Sequence, residues 1–165
     1  MRYADAMPTP AWWDNLRVNR KFFALRHTVA SLPHAPGGKA VVCGAGPSLE
    51  KNAHQLLSTT KKMRDFLVIA VEAAAPYLFS VNVMPDIVIT GEEQANAALI
   101  FRRFEEWFPG VAIAASSTAN PLGLHMAHQK GARLHFYNNA HPALAHRYQM
   151  NVLPRSMPHL VSMCG

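Results

Sequence analysis

The fold is decided by one stretch, Ala40-Val41-Val42-Cys43-Gly44-Ala45-Gly46-Pro47-Ser48-Leu49-Glu50. Its small and β-branched apolar residues are typical of a buried strand, and the glycines after them are typical of a tight turn. Gly44 and Gly46 allow backbone angles and a close approach that a side chain would forbid. Pro47 suits the first position of a helix, and Ser48 can cap that helix or donate its hydroxyl. The stretch therefore predicts a strand, a turn and a helix N-terminus whose free N–H groups attract a phosphate.

This turn differs from two well-known phosphate-binding motifs. Leu49 stands where G-x-G-x-x-G has its third glycine, and no Gly-Lys-Ser/Thr closes the turn as in a Walker loop. A glycine-rich turn that binds no ligand is the alternative interpretation. We interpret the turn as nucleotide-binding, with contacts expected from Gly44, Ala45, Gly46, Pro47 and Ser48.

Composition limits the class of protein. With 165 residues, half of them hydrophobic and 16% charged, the chain is expected to form one folded domain rather than a disordered one. The net charge of +6 favours acidic partners such as nucleotides, sugar acids or nucleic acid. Cys43 and Cys164 make neither a disulfide framework nor a metal motif, so we expect a cytoplasmic protein. We expect no signal peptide and no membrane span, because no apolar run is long enough.

Apolar strands and helical segments alternate along the rest of the chain. Strands are predicted at 40–43, 66–71, 87–90, 111–115 and 134–137. Helices are predicted at 9–32, 49–62, 73–81, 95–108, 121–129 and 141–150. Because the strands are continuous apolar runs, they are predicted to be buried in a mostly parallel sheet.

The predicted fold class is therefore α/β, a Rossmann-like and mostly parallel sheet with helices on both faces. We expect two parts, an N-terminal helical segment at 1–36 and a nucleotide-binding domain at 37–165. The stretch from Leu160 to Gly165 looks like the opening of another element, so we expect the domain to be incomplete at its C-terminus.

Polar residues follow each predicted strand. In sheets of this kind ligands bind beyond the carboxyl ends of the strands, at the point where the strand order reverses. The polar clusters are Gly44–Ser48, Glu72, Thr90–Gln94, Ser116–Asn120 and Asn138–Asn139. All of them fall on one predicted edge of the sheet. We therefore expect the nucleotide site to include Glu72, Thr90, Ser116, Ser117 and Asn120.

Two of these clusters have plain structural alternatives. Glu92 and Glu93 also suit the start of a helix, where the helix dipole favours carboxylates. The stretch Ser116–Asn120 also suits an ordinary capped turn before Pro121. Both interpretations stay open at the level of sequence.

The basic and histidine-rich segments carry no recognised binding motif. The first helix carries Arg17, Arg20 and Lys21, and we interpret it as a lid helix with a solvated basic face rather than a nucleic-acid or membrane contact. His125 and His128 share a helix face, but no Cys/His set or His-Glu-x-x-His motif accompanies them. We therefore predict no metal ligands among them.

The order of these motifs resembles the motility-associated-factor (Maf-like) glycosyltransferases and the related hydroxymethylpterin diphosphokinases of the MptE-like group. The resemblance covers about residues 10 to 165, and Gly-Ala-Gly-Pro-Ser-Leu is its most specific motif. The residues that carry it are Asn15 and Asn19, Gly44–Leu49, Ala70–Ala75, Pro85–Val88 and Ala114–Pro121.

This resemblance implies residue roles. The glycosyltransferase branch has a Glu just after the third strand, and Glu92 stands at the matching position. Glu92 would then contact the donor ribose or act as a general base, and it is our candidate catalytic residue. The diphosphokinase branch has a Thr-Asp-x-Asp pattern, from which Thr90-Gly91-Glu92-Glu93 departs at the first Asp.

The function implied by the resemblance is transfer of a nonulosonic-acid-type sugar from a CMP-linked nucleotide-sugar donor to a Ser or Thr of flagellin. One alternative is an ATP-dependent diphosphokinase, which would need Mg²⁺ held by carboxylates such as Glu72, Glu92 and Glu93. The other alternative is a non-catalytic nucleotide-binding module. We expect neither a membrane nor nucleic acid as partner.

Overall fold

A parallel sheet forms the centre of the molecule. The computed structural model describes residues 10–23, 28–34, 37–57, 64–139 and 159–160. The strands are β1 (Lys39–Cys43), β2 (Phe66–Val71), β3 (Ile87–Thr90), β4 (Ala112–Ser116), β5 (Arg133–Asn139) and β6 (His159–Leu160). Every neighbouring pair among them is parallel. The predicted α/β fold with a parallel sheet is confirmed.

Helices connect these strands. They are α1 (Pro10–Phe23), α2 (Pro47–Asn52), α3 (His54–Leu57), α4 (Ala75–Ser80), α5 (Asn96–Arg102) and α6 (Pro121–Gln129). Two 3-10 turns lie at Val29–Ser31 and Glu105–Gly110. None of the helices in the described residues has the length and apolar character needed to cross a lipid bilayer.

The two faces of the sheet are covered differently. On one face, Val88 and Ile113 share a core with side chains of α4, α5 and α6. On the other face, Ile87 and Ala114 pack with Val29 and Leu32 from the first 3-10 turn and the residue after it. Right-handed crossovers between adjacent strands carry successive helices to the same side, which explains why the longer helices share one face.

The strand order in the sheet is sequential, β1-β2-β3-β4-β5-β6. The expectation that the strand order reverses is therefore wrong for the described strands, and they form no switch-point crevice. The strand that leads into the glycine turn, β1, pairs with β2 at one edge of the sheet. The prediction that this strand is buried is wrong except at Cys43, because an edge strand has a neighbour on one side only and residues 39–42 are exposed. The candidate site consequently begins at β1 and extends over β2 and β3.

The helix predicted at 95–108 is correct only in its first part. The helix α5 ends at Arg102, and the chain continues as a 3-10 turn. The rings of Phe101, Phe104 and Phe108 are buried and pair edge to face, with centroids 5.4–5.8 Å apart. Pro109 removes a donor and restricts the residue before it, so an α-helix cannot continue through this segment.

Two other predicted helices have different bounds. The helix predicted at 9–32 is wrong at 28–32, because Thr28 is extended and bridges Phe136 in β5 and a 3-10 turn follows it. The structure describes α1 from Pro10 to Phe23, and residues 24–27 lie outside the described residues. The helix predicted at 49–62 is two short helices, α2 and α3, that meet at Ala53. Its last part, and the helix predicted at 141–150, lie outside the described residues.

A buried ion pair joins the amino ends of β2 and β3. The Asp86 carboxylate accepts hydrogen bonds from the Val68 N–H at 2.8 Å and from Arg64 Nη2 at 3.4 Å. The same Nη2 atom donates to the Met84 carbonyl at 3.0 Å. The two charged side chains are 3% and 11% exposed, so the pair is largely shielded from water.

Candidate functional site

The predicted polar clusters meet at the carboxyl edge of the sheet. Strand registers bring the ends level, because Cys43 lies beside Ala70, Val71 beside Ile89, and Thr90 beside Ala115. The glycine turn follows β1, Glu72 follows β2, and the loop 91–94 follows β3. The arrangement brings residues that are far apart in sequence to one rim.

The glycine turn has the predicted strand–turn–helix form. Gly46 is the N-cap of α2, and Pro47 occupies the first turn of the helix. Residues 44–48 are exposed to solvent. Within the described part of the chain, no hydrogen bond uses the backbone N–H of Gly44, Ala45, Gly46 or Ser48 as its donor. These N–H groups are therefore available to an anion from solvent.

Neither glycine is required by the protein's own backbone. Gly44 and Gly46 lie outside the left-handed φ region, so the expectation that the turn needs special backbone angles is wrong. Among the described residues, no neighbouring atom lies within 4 Å of a Cβ built on Gly44, and a Cβ on Gly46 would lie 3.9 Å from Ser48 Oγ. The two glycines therefore leave space in front of the backbone N–H groups, and the packing of the described residues does not require glycine at either position.

A cavity of about 270 Å³ lies beside the turn. Its lining comes from β1, α2 and α3, and it combines apolar side chains with the polar residues Ser48, Asn52 and Gln55. Asn52 Nδ2 donates to the Ser48 carbonyl at 2.8 Å, which fixes the first turn of α2. The cavity gives the rim a concave surface next to the candidate phosphate position.

Glu72 lies at the neighbouring strand end and is half-buried. The Thr90 side chain and the Glu92 backbone lie near its carboxyl group and favour the charged form, which lowers its pKa. Its Oε2 atom is buried and has no hydrogen-bond partner among the described residues. Burial raises the pKa of Glu72, and the nearby Glu92 carboxylate raises it further. The side chain thus has an acceptor atom without a partner and a tendency to hold its proton.

This raised pKa makes a testable prediction about pH. When the pKa of a carboxyl group is higher in the folded than in the unfolded protein, the free energy of unfolding falls as pH rises through the folded pKa. The Glu72→Gln variant removes that loss, so its melting temperature should rise relative to the wild type above the ordinary carboxylate pKa of about 4.3. Melting curves of both proteins between about pH 4 and about pH 8 measure the difference in melting temperature. A difference that stays constant with pH would contradict the buried-carboxyl interpretation.

Glu92 lies beside Glu72 at the start of the loop after β3. Its Oε1 atom accepts a hydrogen bond from the Gln94 N–H at 2.9 Å, and its carbonyl accepts from the Asn120 N–H at 2.8 Å. The helix α5 begins only at Asn96, so Glu92 precedes the helix instead of lying in its first turn. The structure brings Glu72, Thr90 and Glu92 together, while the catalytic role of Glu92 stays a prediction.

The cluster after β4 is largely internal. Ser116 and Ser117 are each 1% exposed, and Ser116 Oγ lies 3.0 Å from Thr118 Oγ1. Asn120 is the N-cap of α6, where its Oδ1 accepts from the N–H groups of Leu122 and Gly123. The capped-turn interpretation is therefore confirmed at Asn120. Ligand contacts by Ser116, Ser117 and Asn120 stay a prediction.

Comparison with protein families identifies the chain. Residues 12–154 match the model of the family described as 6-hydroxymethylpterin diphosphokinase MptE-like. The chain belongs to the MptE-like family. The match includes the glycine turn, Glu72, Glu92 and the cluster after β4. No curated protein and no solved structure matches the chain.

The first helix of this MptE-like chain holds the rim together. Asn15 Nδ2 donates to the carbonyls of Glu93 and Thr118, at 2.9 and 3.0 Å. Asn19 Nδ2 donates to the carbonyls of Ser117 and Ala119, at 3.1 and 2.8 Å. From sequence, both asparagines belong only to the residues that carry the family resemblance, and no contacts are predicted for them. The signal that could have found them is two amide side chains four residues apart on one face of an amphipathic helix.

The described residues contain no group of three or more His, Cys, Asp or Glu side chains arranged to hold a metal ion. His125 and His128 instead flank the Phe22 ring, with centroid distances of 6.3 and 5.8 Å. Both histidines are exposed on α6. Their contacts fit the predicted surface and packing role in this MptE-like chain.

Proposed function

We propose that this MptE-like chain is a nucleotide-dependent transferase whose donor binds at the glycine turn Gly44–Ser48. The observation that carries the proposal is the exposed turn, whose N–H groups donate to no acceptor in the described residues and whose two glycines leave space before them. A phosphate fits both features, because it accepts several hydrogen bonds and gains from the positive end of a helix. The positive net charge of the chain also favours an anionic ligand.

Glu72 and Thr90 supply the sugar contact in this proposal. In parallel α/β sheets, an acidic residue at the end of the strand next to the phosphate turn can hydrogen-bond ribose hydroxyls. Glu72 has that position, and its Oε2 atom lacks a partner among the described residues. Thr90, the last residue of β3, lies beside Glu72 at the neighbouring strand end. These contacts would fix the nucleoside half of the donor.

The transferred group is proposed to be a nonulosonic-acid-type sugar on a CMP-linked donor, and the acceptor a Ser or Thr hydroxyl of flagellin. Glu92 acts as general base in this proposal, since attack by a hydroxyl needs a group that removes its proton. Ser116, Ser117 and Asn120 would hydrogen-bond the base or the sugar in the same proposal. No resident cofactor is part of the proposal.

A thermal-shift panel with CMP, CDP, UDP, GDP and ATP, each with and without Mg²⁺, tests the donor class. A ligand that binds only the folded state stabilises it by about 2.7 kcal/mol at roughly a hundred times its Kd. For a chain of this length that corresponds to about 5–10 °C in melting temperature. We expect CMP to give the largest shift, with little dependence on Mg²⁺.

Other outcomes of the panel separate the remaining functions. A shift with ATP that requires Mg²⁺, and none with CMP, would replace the glycosyltransferase proposal by the diphosphokinase. No shift with any nucleotide would contradict the nucleotide site itself. If CMP binds, release of CMP from a CMP-linked nonulosonic acid in the presence of a flagellin acceptor tests transfer directly.

A further inference from the structure

The helix α1 clamps the loop that carries Glu92. The Glu93 carbonyl accepts one hydrogen bond from Asn15 Nδ2 at 2.9 Å and a second from Asn120 Nδ2 at 3.4 Å. The adjacent Glu92 carbonyl accepts from the Asn120 N–H at 2.8 Å. Two separate elements therefore hold the same short loop by its backbone. Asn15 is 7% exposed, so water competes little for its amide group.

This loop is in direct contact with the candidate site. The Glu72 N–H donates to the Ile89 carbonyl at 3.0 Å, which places Glu72 beside Thr90, and the loop 91–94 follows Thr90 directly. The Glu92 backbone N–H and the Glu92 carboxylate lie near enough to the Glu72 carboxyl group to shift its pKa. A displacement of the loop would change both interactions together. The amide of Asn15 therefore bonds to the backbone of the loop that begins beside Glu72, the residue that we assign to the nucleotide.

The second asparagine of α1 offers a natural comparison. Asn19 is fully buried and donates to the carbonyls of Ser117 and Ala119, both in the loop after β4. Among the described residues, the hydrogen bonds of Asn19 do not include the loop after β3. Asn15 and Asn19 thus anchor the same helix through similar hydrogen bonds, but only Asn15 bonds to the loop that touches Glu72.

We propose that Asn15 is a positioning residue, which holds the loop 91–94 against Glu72 and thereby determines how tightly the nucleotide binds. This inference rests on the proposed function, because it takes Glu72 as a ribose contact. Asn15 touches no ligand in this account. It acts through the Glu93 carbonyl, whose hydrogen bond from Asn15 fixes the backbone of the loop that begins beside Glu72. The helix α1 thus becomes part of the site's framework instead of a detachable lid.

The test compares Asn15→Leu with Asn19→Leu in the 165-residue chain. Leucine is close to asparagine in size, and both variants lose two amide hydrogen bonds. Two measurements need no nucleotide: hydrogen exchange of the Glu92 amide, and NMR titration of the Glu72 carboxyl group. Calorimetric titration with CMP measures binding.

We expect Asn15→Leu to speed exchange of the Glu92 amide by about tenfold, because the loop opens more often. The pKa of Glu72 should fall toward its ordinary value, since burial is the main cause that raises it and an open loop admits water. CMP binding should weaken by about two- to thirtyfold, the range for coupling through a hydrogen-bond network. Asn19→Leu should leave the exchange and the titration as in the wild type.

Unchanged exchange and titration in Asn15→Leu, or the same changes in both variants, would overturn the positioning role. If the wild type binds no CMP, the proposed function fails, while the two nucleotide-free measurements still judge Asn15. Circular dichroism checks that each variant is folded. If Asn15→Leu does not fold, Asn15→Ser keeps a polar group but is too short to reach the Glu93 carbonyl in the same way, and the same criteria apply to it.

Discussion

Replacement of Asp86 by alanine is expected to lower the free energy of unfolding by about 3–5 kcal/mol, because a buried charge loses its partner. The Arg64 side chain is 3% exposed, so its guanidinium cannot regain full hydration once the carboxylate is gone. The Val68 N–H also loses its acceptor. Urea unfolding at neutral pH, followed by circular dichroism, measures the loss. The Asp86→Asn variant keeps an acceptor for Val68 and should lose less.

The chain offers a matched control at the same end of the sheet. Lys39 and Asp65 also pair across the beginnings of two neighbouring strands, at 2.9 Å, but their side chains are 69% and 64% exposed. Water screens this pair, and exposed pairs contribute little to stability. We expect Asp65→Ala to leave the urea midpoint nearly unchanged. Equal losses in the two variants would show that burial of the Arg64–Asp86 pair is not what makes it important.

Local sequence was sufficient for the elements that frame the site. The apolar run 40–43, followed by Gly44, Gly46 and Pro47, predicted a strand, a turn and a helix start, and the structure has β1 and α2 there. Glu72 and Thr90 were predicted at the carboxyl edge because each follows an apolar run, and they do meet there. These predictions succeed because strand ends and helix starts depend on neighbouring residues.

Features that depend on tertiary contacts were not predictable in the same way. The sequential strand order follows from which strands pair, and an apolar run does not encode its neighbour. Thr28 leaves the helical pattern because it bridges Phe136, more than a hundred residues later. Asn15 donates hydrogen bonds to the carbonyls of Glu93 and Thr118, and no local sequence pattern predicts these partners. The helical spacing of Asn15 and Asn19 marks a shared face, but it does not say which distant carbonyls their amide groups reach.

The Gly46→Val variant is expected to lose about a hundredfold in CMP affinity, which is about 3 kcal/mol and matches the loss of one or two hydrogen bonds to a charged group. The valine side chain would occupy the space in front of the turn, where a Cβ meets only Ser48 Oγ at 3.9 Å. The fold itself should tolerate the change, because Gly46 has φ −89° and ψ 167°, an extended conformation that valine adopts readily. The loss of glycine at the N-cap should cost about 1 kcal/mol or less in stability.

A graded series separates this steric effect from a loss of folding. Gly46→Ala should weaken CMP binding less than Gly46→Val does, because the smaller side chain leaves part of the space before the N–H groups. Ala11→Val puts the same side chain into the first turn of α1 and should leave CMP binding as in the wild type. Melting temperatures without nucleotide confirm that each variant is folded, and calorimetry gives the affinities. If Gly46→Val binds CMP as the wild type does, the phosphate does not lie against this turn. The two glycines would then need an explanation other than a ligand, since neither the backbone angles nor the packing of the described residues requires them.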